Sequence, residues 1–286
     1  MQPQVKAFFH APTFTYTYVV SDGVNPACAV IDPVLDFDYK SGTTDTQSAE
    51  EVISFIKAQN LSLEWILETH AHADHISAAK YYQAQLGGKV AIGAEIHRVQ
   101  EVFKGVFNYG DEFKTDGSQF DELLGANRQF KIGELEVNVL HTPGHTPACV
   151  SYDIAGHLFV GDTMFMPDVG TARCDFPGGD AEVLYASIQT LLSYPEDTPI
   201  YMCHDYPNDR EACYLTTVAE QKAHNIHIGN GKSCQEFVAM RTARDASLEM
   251  PTLILPSIQI NIRAGLIPDA ENNGVSYLKL PLNQFK

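Results

Sequence analysis

The sequence predicts a layered fold of mixed α and β elements whose strand ends meet along one edge. Three observations predict it. Short runs of strand type alternate with segments whose apolar residues fall at helical spacing. Ligand-type residues follow directly after four of the strand candidates. The chain has 286 residues, 44% of them hydrophobic, enough to bury a sizeable core. The expected organisation is one domain over residues 1–286, with 208–286 as a C-terminal extension packed on the core.

The elements follow in order. The N-terminus reads as two short strands, the second in FTYTYVV (14–20), where side chains alternate. ACAVI (27–31) is a third strand, stopped by Asp32-Pro33. AEEVISFIKA (49–58) places Val52, Ile53, Phe55 and Ile56 on one helical face. LEWILE (63–68) reads as a strand and ISAAKYYQAQL (76–86) as a helix closed by Gly87-Gly88. Residues 105–128 show no regular pattern and are expected to form a long surface excursion. Strands are expected at 135–140, 149–154, 157–161 and 199–203. A helix is expected at 180–192, capped by Asp180, and another near 233–244. From residue 251 the chain is apolar but broken by proline.

Charge and cysteines narrow the function. The net charge is −17. Residues 1–207 carry eleven Lys/Arg against 28 Asp/Glu, whereas 208–286 are balanced at eight each. A nucleic-acid partner needs a basic face and an anionic membrane repels such a surface, so neither is expected. No apolar run is long enough for a transmembrane helix. MQPQVKAFFHAPTFTYTYVV is polar where an export signal is apolar. None of the six cysteines forms a C-x-x-C pair, which fits reduced thiols. The expected compartment is the cytoplasm.

ETHAHADH (68–75) packs three histidines and an aspartate between a strand and a helix, a common place for ligands in layered folds. Strand alternation would point His70 and His72 to one side, with Asp74 and His75 arriving as the chain turns. Further ligand-type residues stand at other strand ends: His145 in HTPGHT (141–146), Asp162 in VGDT (160–163) and His204 in CHDY (203–206). Imidazole and carboxylate together suit zinc, iron and similar ions. His10, His97, His157, His224 and His227 read as ordinary surface or core histidines. His224 and His227 could mimic a ligand pair, but no third ligand is suggested nearby and an exposed face is expected. His141 reads as the end of its strand.

THAHADH (69–75), HTPGHT (141–146), GD (161–162) and CHD (203–205) resemble the metallo-β-lactamase superfamily, over roughly residues 5–210. The resemblance implies an α+β, four-layer αββα sandwich with two mixed sheets and a metal at one edge. GDTMFMPDVGTARCDFPGGDAEVLYASI (161–188) is similar to the bacterial persulfide dioxygenases, relatives of glyoxalase II. That branch implies one non-haem Fe(II) per chain, held by His70, His145 and Asp162, which are also the catalytic residues. His72, Asp74, His75 and His204 would lie beside the iron. The implied reaction oxidises glutathione persulfide, or a similar low-molecular-weight persulfide, with O2 to sulfite and thiol, a sulfide detoxification. A homodimer is compatible with the resemblance.

Arg173 is the sole Lys or Arg between Lys131 and Arg210, against twelve Asp/Glu in 132–209. It is a candidate grip for the substrate carboxylate, or else a salt bridge to Asp175 or Asp168. Tyr206 could offer its hydroxyl to substrate, or simply pack. Cys174 reads as a structural thiol. Arg210, Lys222, Arg241, Arg244 and Arg263 read as solvated surface charges.

Two other functions use the same residues. In a dinuclear hydrolase like glyoxalase II, His70, His72 and His145 would hold one of two Zn or Fe ions. Asp74, His75 and His204 would hold the other, with Asp162 bridging. A non-catalytic sensor or scaffold would need only four ligands.

Overall fold

A computed structural model describes residues 1–284. The chain opens with strands β1 (Gln4–His10), β2 (Thr15–Ser21), β3 (Ala27–Ile31), β4 (Val34–Asp38) and β5 (Thr43–Asp45), then helix α1 (Gln47–Ala58). Strands β6 (Ser62–Leu67) and β7 (Ile76–Ser77), helix α2 (Ala79–Leu86), strand β8 (Lys89–Gly93) and helix α3 (Ile96–Val106) follow. Next come β9 (Glu122–Leu124), β10 (Gln129–Ile132), β11 (Leu135–His141), β12 (Val150–Ile154) and β13 (His157–Phe159). A 3-10 turn, Gly161–Thr163, leads to helix α4 (Ala181–Leu192). Strands β14 (Pro199–Tyr201) and β15 (Leu215–Thr217) precede helices α5 (Val218–His224), α6 (Cys234–Asp245) and α7 (Ile254–Asn261).

Two six-stranded mixed sheets result, ordered β1-β2-β3-β6-β8-β9 and β10-β11-β12-β13-β14-β15. Alternation along each strand divides the core. Tyr18, Val20, Ala29 and Ile31 face the second sheet and meet Val137, Val139, Tyr152 and Ile154. Val19, Cys28 and Val30 point the other way, onto Val52, Ile56, Tyr82 and Phe103 of the outer helices. On the far side of the second sheet, Leu158 and Ile200 pack on Leu184, Ile188 and Phe237. Helices outside two facing sheets make the four layers, an α+β fold. Each fully buried large apolar side chain contributes about 1.5–3 kcal/mol.

Strand direction brings the site together. β11 and β13 are both antiparallel to β12, so they run the same way, and β14 is parallel to β13. The segments after β11, β13 and β14 therefore leave from one edge. The segment after β6 meets them there: Val150 N donates to Thr69 O at 2.9 Å, and Tyr16 N to Cys203 O at 2.7 Å.

Several expectations need correction. The strand expected at 63–68 stops at Leu67, so ETHAHADH is loop, and strand alternation does not set its side chains. Ile76 and Ser77 are not helical, because they pair with Leu35 and Val34. Gly161 leaves the strand expected at 157–161 for a 3-10 turn, and the strand at 199–203 ends at Tyr201. Residues 105–128 contain the end of α3 and strand β9. The apolar stretch from 251 forms α7.

The Asp180 cap is present: its carboxylate accepts from Val183 N at 3.0 Å. Asp180→Ala is expected to lower stability by about 1 kcal/mol, seen as a lower urea midpoint with unchanged slope.

Candidate metal centre

Asp32 organises the ligand loop. It sits in the left-handed region, at φ 48°, where Asp is tolerated better than most residues. Its carboxylate accepts Thr69 N at 2.8 Å, the Thr69 hydroxyl at 3.0 Å and His72 Nε2 at 3.0 Å. With its proton given to Asp32, the Thr69 oxygen accepts from His70 Nδ1 at 3.0 Å. That fixes the tautomer of His70 and leaves the lone pair on Nε2.

His145 reaches the same place by another route. It follows a Pro143-Gly144 turn pressed so closely on α4 that a Cβ on Gly144 would stand 2.3 Å from Leu184 Cα. Gly144 also has φ 134°, so only glycine fits there. His145 Nδ1 donates to Arg173 O at 2.8 Å, so its Nε2 also carries the lone pair. Asp162 Oδ2 lies 3.9 Å from His70 Nε2 and 3.8 Å from His145 Nε2. Gly161 makes this approach possible, since a Cβ there would fall 2.6 Å from Thr69 Oγ1.

Donor atoms of His70, His145 and Asp162 lie within 4.8 Å of one another. A second set with the same spacing comprises His72, Asp74, His75 and His204. His204 Nε2 stands 3.3 Å from Asp74 Oδ2 and 3.4 Å from Asp162 Oδ1. Thr15 Oγ1 lies 3.1 Å from His204 Nδ1 and 3.4 Å from His75 Nδ1. The structure thus places His72 with the second set, not with His70 and His145.

Buried atoms of both sets lack hydrogen-bond partners among the described residues: His70 Nε2, His72 Nδ1, Asp74 Oδ1, His75 Nε2, Asp162 Oδ1 and His204 Nε2. Each such atom costs about 1–3 kcal/mol. Their concentration in one place fits a donor set for a cation.

Electrostatics keep His70 and His75 ready to bind a cation. Burial, then the neighbouring imidazoles, depresses His70 far below the usual histidine value. Burial and His72 bring His75 down to about 3. Both are therefore neutral, as ligands must be. Burial raises Asp162, with His204 and His145 only partly offsetting it. At His72 burial opposes charging, but Asp32 and Glu68 outweigh it and raise the pKa.

A cavity of about 930 Å³ opens over this cluster, and Asp74, His145, Asp162, Arg173 and Tyr206 all line it. Arg173 makes the salt bridge to Asp175, with Nε and Nη2 each at 2.6 Å from a carboxylate oxygen. Its Nη1 also donates to Glu249 O at 2.6 Å, so its charge is largely committed. Asp168 pairs with Arg210 instead. The Tyr206 hydroxyl lies 3.4 Å from Asp74 Oδ2, and burial keeps it protonated. Burial pushes the Cys174 thiol up to about 12, so it is no nucleophile.

Four residues read as solvated surface prove otherwise. Arg210 grips Asp205, which is fully buried beside His204. Arg241 is buried and pairs with Asp245. Arg263 lies over the rings of Tyr109 and Phe113. His227 stands beyond the end of α5, buried, accepting from Thr171 N at 2.9 Å. Sequence reading also missed Asp32 as a partner of the ligand loop. Its Asp-Pro context signalled only a strand end.

Residues 11–204 match the sequence profile of the metallo-beta-lactamase superfamily. A probable metallo-hydrolase of Burkholderia pseudomallei is 52% identical over 98% of this chain and 99% of its own. Glyoxylase B2 of Dictyostelium discoideum is 49% identical over 99% of this chain and 98% of its own. The mitochondrial persulfide dioxygenase ETHE1 of Homo sapiens is 27% identical, covering 92% and 89%. The crystal structure of ETHE1 from Myxococcus xanthus matches with TM-score 0.74 and 27% identity, over 92% of this chain and all (100%) of that one.

Proposed function

The chain belongs to the metallo-β-lactamase superfamily, and from that premise we propose that it is a non-haem Fe(II) persulfide dioxygenase. The observation that carries this reading is the grouping of His70, His145 and Asp162 beneath an open cavity. Two imidazoles and one carboxylate are the donor set of mononuclear oxygenase iron. The likeness to ETHE1 in sequence and structure supports it. Iron held there would supply the electron and dioxygen chemistry.

The chain's own residues do the rest. Thr69 and the Arg173 carbonyl hold the two imidazoles in the tautomer that offers Nε2. Leu35, Phe165, Phe176 and Leu253 wall the cavity and limit water around the reacting sulfur. Arg173 lies on that wall as one half of its salt bridge with Asp175, so it offers an anionic persulfide little free charge. Tyr206, kept protonated, can donate a hydrogen bond to an anionic substrate.

A second reading, a dinuclear thioester hydrolase, is favoured by the set His72, Asp74, His75 and His204 and by the relatives named metallo-hydrolase and glyoxylase. One experiment separates them: anaerobic purification, metal analysis, then oxygen uptake on glutathione persulfide and hydrolysis of S-lactoylglutathione. Dioxygenase activity requires about one iron per chain and persulfide-dependent oxygen uptake. Two metals per chain with thioester hydrolysis and no oxygen uptake would overturn it.

A further inference from the structure

The ligand loop is held at both ends by different parts of the chain. At its start, Asp32 fixes Thr69 and His72. At its end stands Asn261, the last residue of α7, which lies beyond the residues that match the family profile. Asn261 Nδ2 donates to His72 O and His75 O, both at 2.8 Å, and its Oδ1 accepts from Ser77 N at 2.8 Å. The side chain is buried.

The residue type follows from this geometry. Residues 70–75 form neither strand nor helix, so their buried carbonyls need partners from elsewhere. A carboxamide presents two donors and one acceptor in a single plane. Aspartate has the same shape but no donors, and its second oxygen would face two carbonyl oxygens.

We infer that Asn261 is a positioning residue of the metal centre: it fixes the backbone at His72 and His75 and thereby sets metal affinity. Helix α7 of the C-terminal extension is then part of the centre, whichever reaction the metal serves. The ligands on the loop gain their geometry from a residue about 190 positions away, through three buried hydrogen bonds. Partners that orient ligands in this way typically change metal affinity by about 10–100-fold when removed.

The test is a titration of the metal-free, full-length protein with Zn(II) against a chromophoric chelator. Asn261→Ala and Asn261→Asp are expected to bind Zn(II) about 10–100-fold more weakly. Gln100→Ala is the control. Gln100 Nε2 donates to Ile262 O at 2.9 Å, anchoring the end of the same helix without touching the ligand loop. Its Zn(II) affinity is expected to stay within about twofold while its unfolding midpoint falls. Wild-type affinity in a folded Asn261→Ala protein overturns the inference. So does an equal loss in Gln100→Ala, which would make helix stability the sole cause. Should Asn261→Ala not fold, Asn261→Gln, which keeps the donors and the acceptor, is compared with Asn261→Asp. Glutamine must bind Zn(II) more tightly, and equal binding refutes the role.

Discussion

Replacing His145 by alanine is expected to weaken metal binding at least about a thousandfold and to abolish turnover. One donor of three disappears, and a ligand bond contributes several kcal/mol. About 4 kcal/mol corresponds to that thousandfold. Folding should suffer far less. His145 lies on the cavity wall, and its loss removes the 2.8 Å hydrogen bond to the Arg173 carbonyl, about 1 kcal/mol, and its ring contact with Phe176. The signature is therefore a metal-free thermal midpoint close to wild type, with metal absent after dialysis and no oxygen uptake. His141→Ala is the contrast. That imidazole donates to Pro147 O outside both donor sets, and its removal should leave metal content intact. Preserved activity in His145→Ala would remove that residue from the centre.

The grouping of the candidate donors was legible because ligand-type side chains stood within a few residues of strand ends, and strand direction gathers such positions on one edge. The strands themselves were legible where alternation was strong, as in β2 and β11. Their ends were less so. Val160 continues the apolar run of β13, yet the chain leaves the sheet because Gly161 turns with φ 52° against Thr69. Ile76 and Ser77 looked helical because their neighbours are, and only their pairing with β4, far along the chain, decides otherwise. The same holds for the polar support. Asp32, Asn261, Arg210 and Arg241 look like ordinary surface or turn residues in one dimension. Their roles depend on partners brought close by the fold, and no local spacing encodes that.

Asp32→Ala is expected to cost about 3–5 kcal/mol of stability. The carboxylate is buried, and it satisfies Thr69 N, the Thr69 hydroxyl and His72 Nε2 at once. Alanine leaves those donors without an acceptor, and it must also hold φ 48°, which a Cβ without a polar partner resists. For a chain of this size each kcal/mol moves the midpoint by about 2–4 °C, so the drop should be on the order of 10 °C. Asp32→Asn separates support from charge. It tolerates the left-handed backbone, and with its oxygen at the Oδ1 position it still accepts from Thr69 N and His72 Nε2, but its NH2 would meet the Thr69 hydroxyl donor to donor. Thr69 escapes by accepting from that amide and donating to His70 Nδ1, which moves the His70 proton to Nε2 and withdraws that lone pair from the first donor set. Asparagine should therefore lose less stability than alanine yet still loosen metal binding. Acid gives a further check. Burial pushes the Asp32 carboxyl up, but His72 outweighs it and holds it below its ordinary 3.8. Its folded-state pKa is the lower one, so its contribution is complete above about pH 4 and lost as the pH falls through the folded value. Stability curves of wild type and Asp32→Asn should accordingly converge in acid. Parallel curves down to acid unfolding would show that the carboxylate charge contributes nothing.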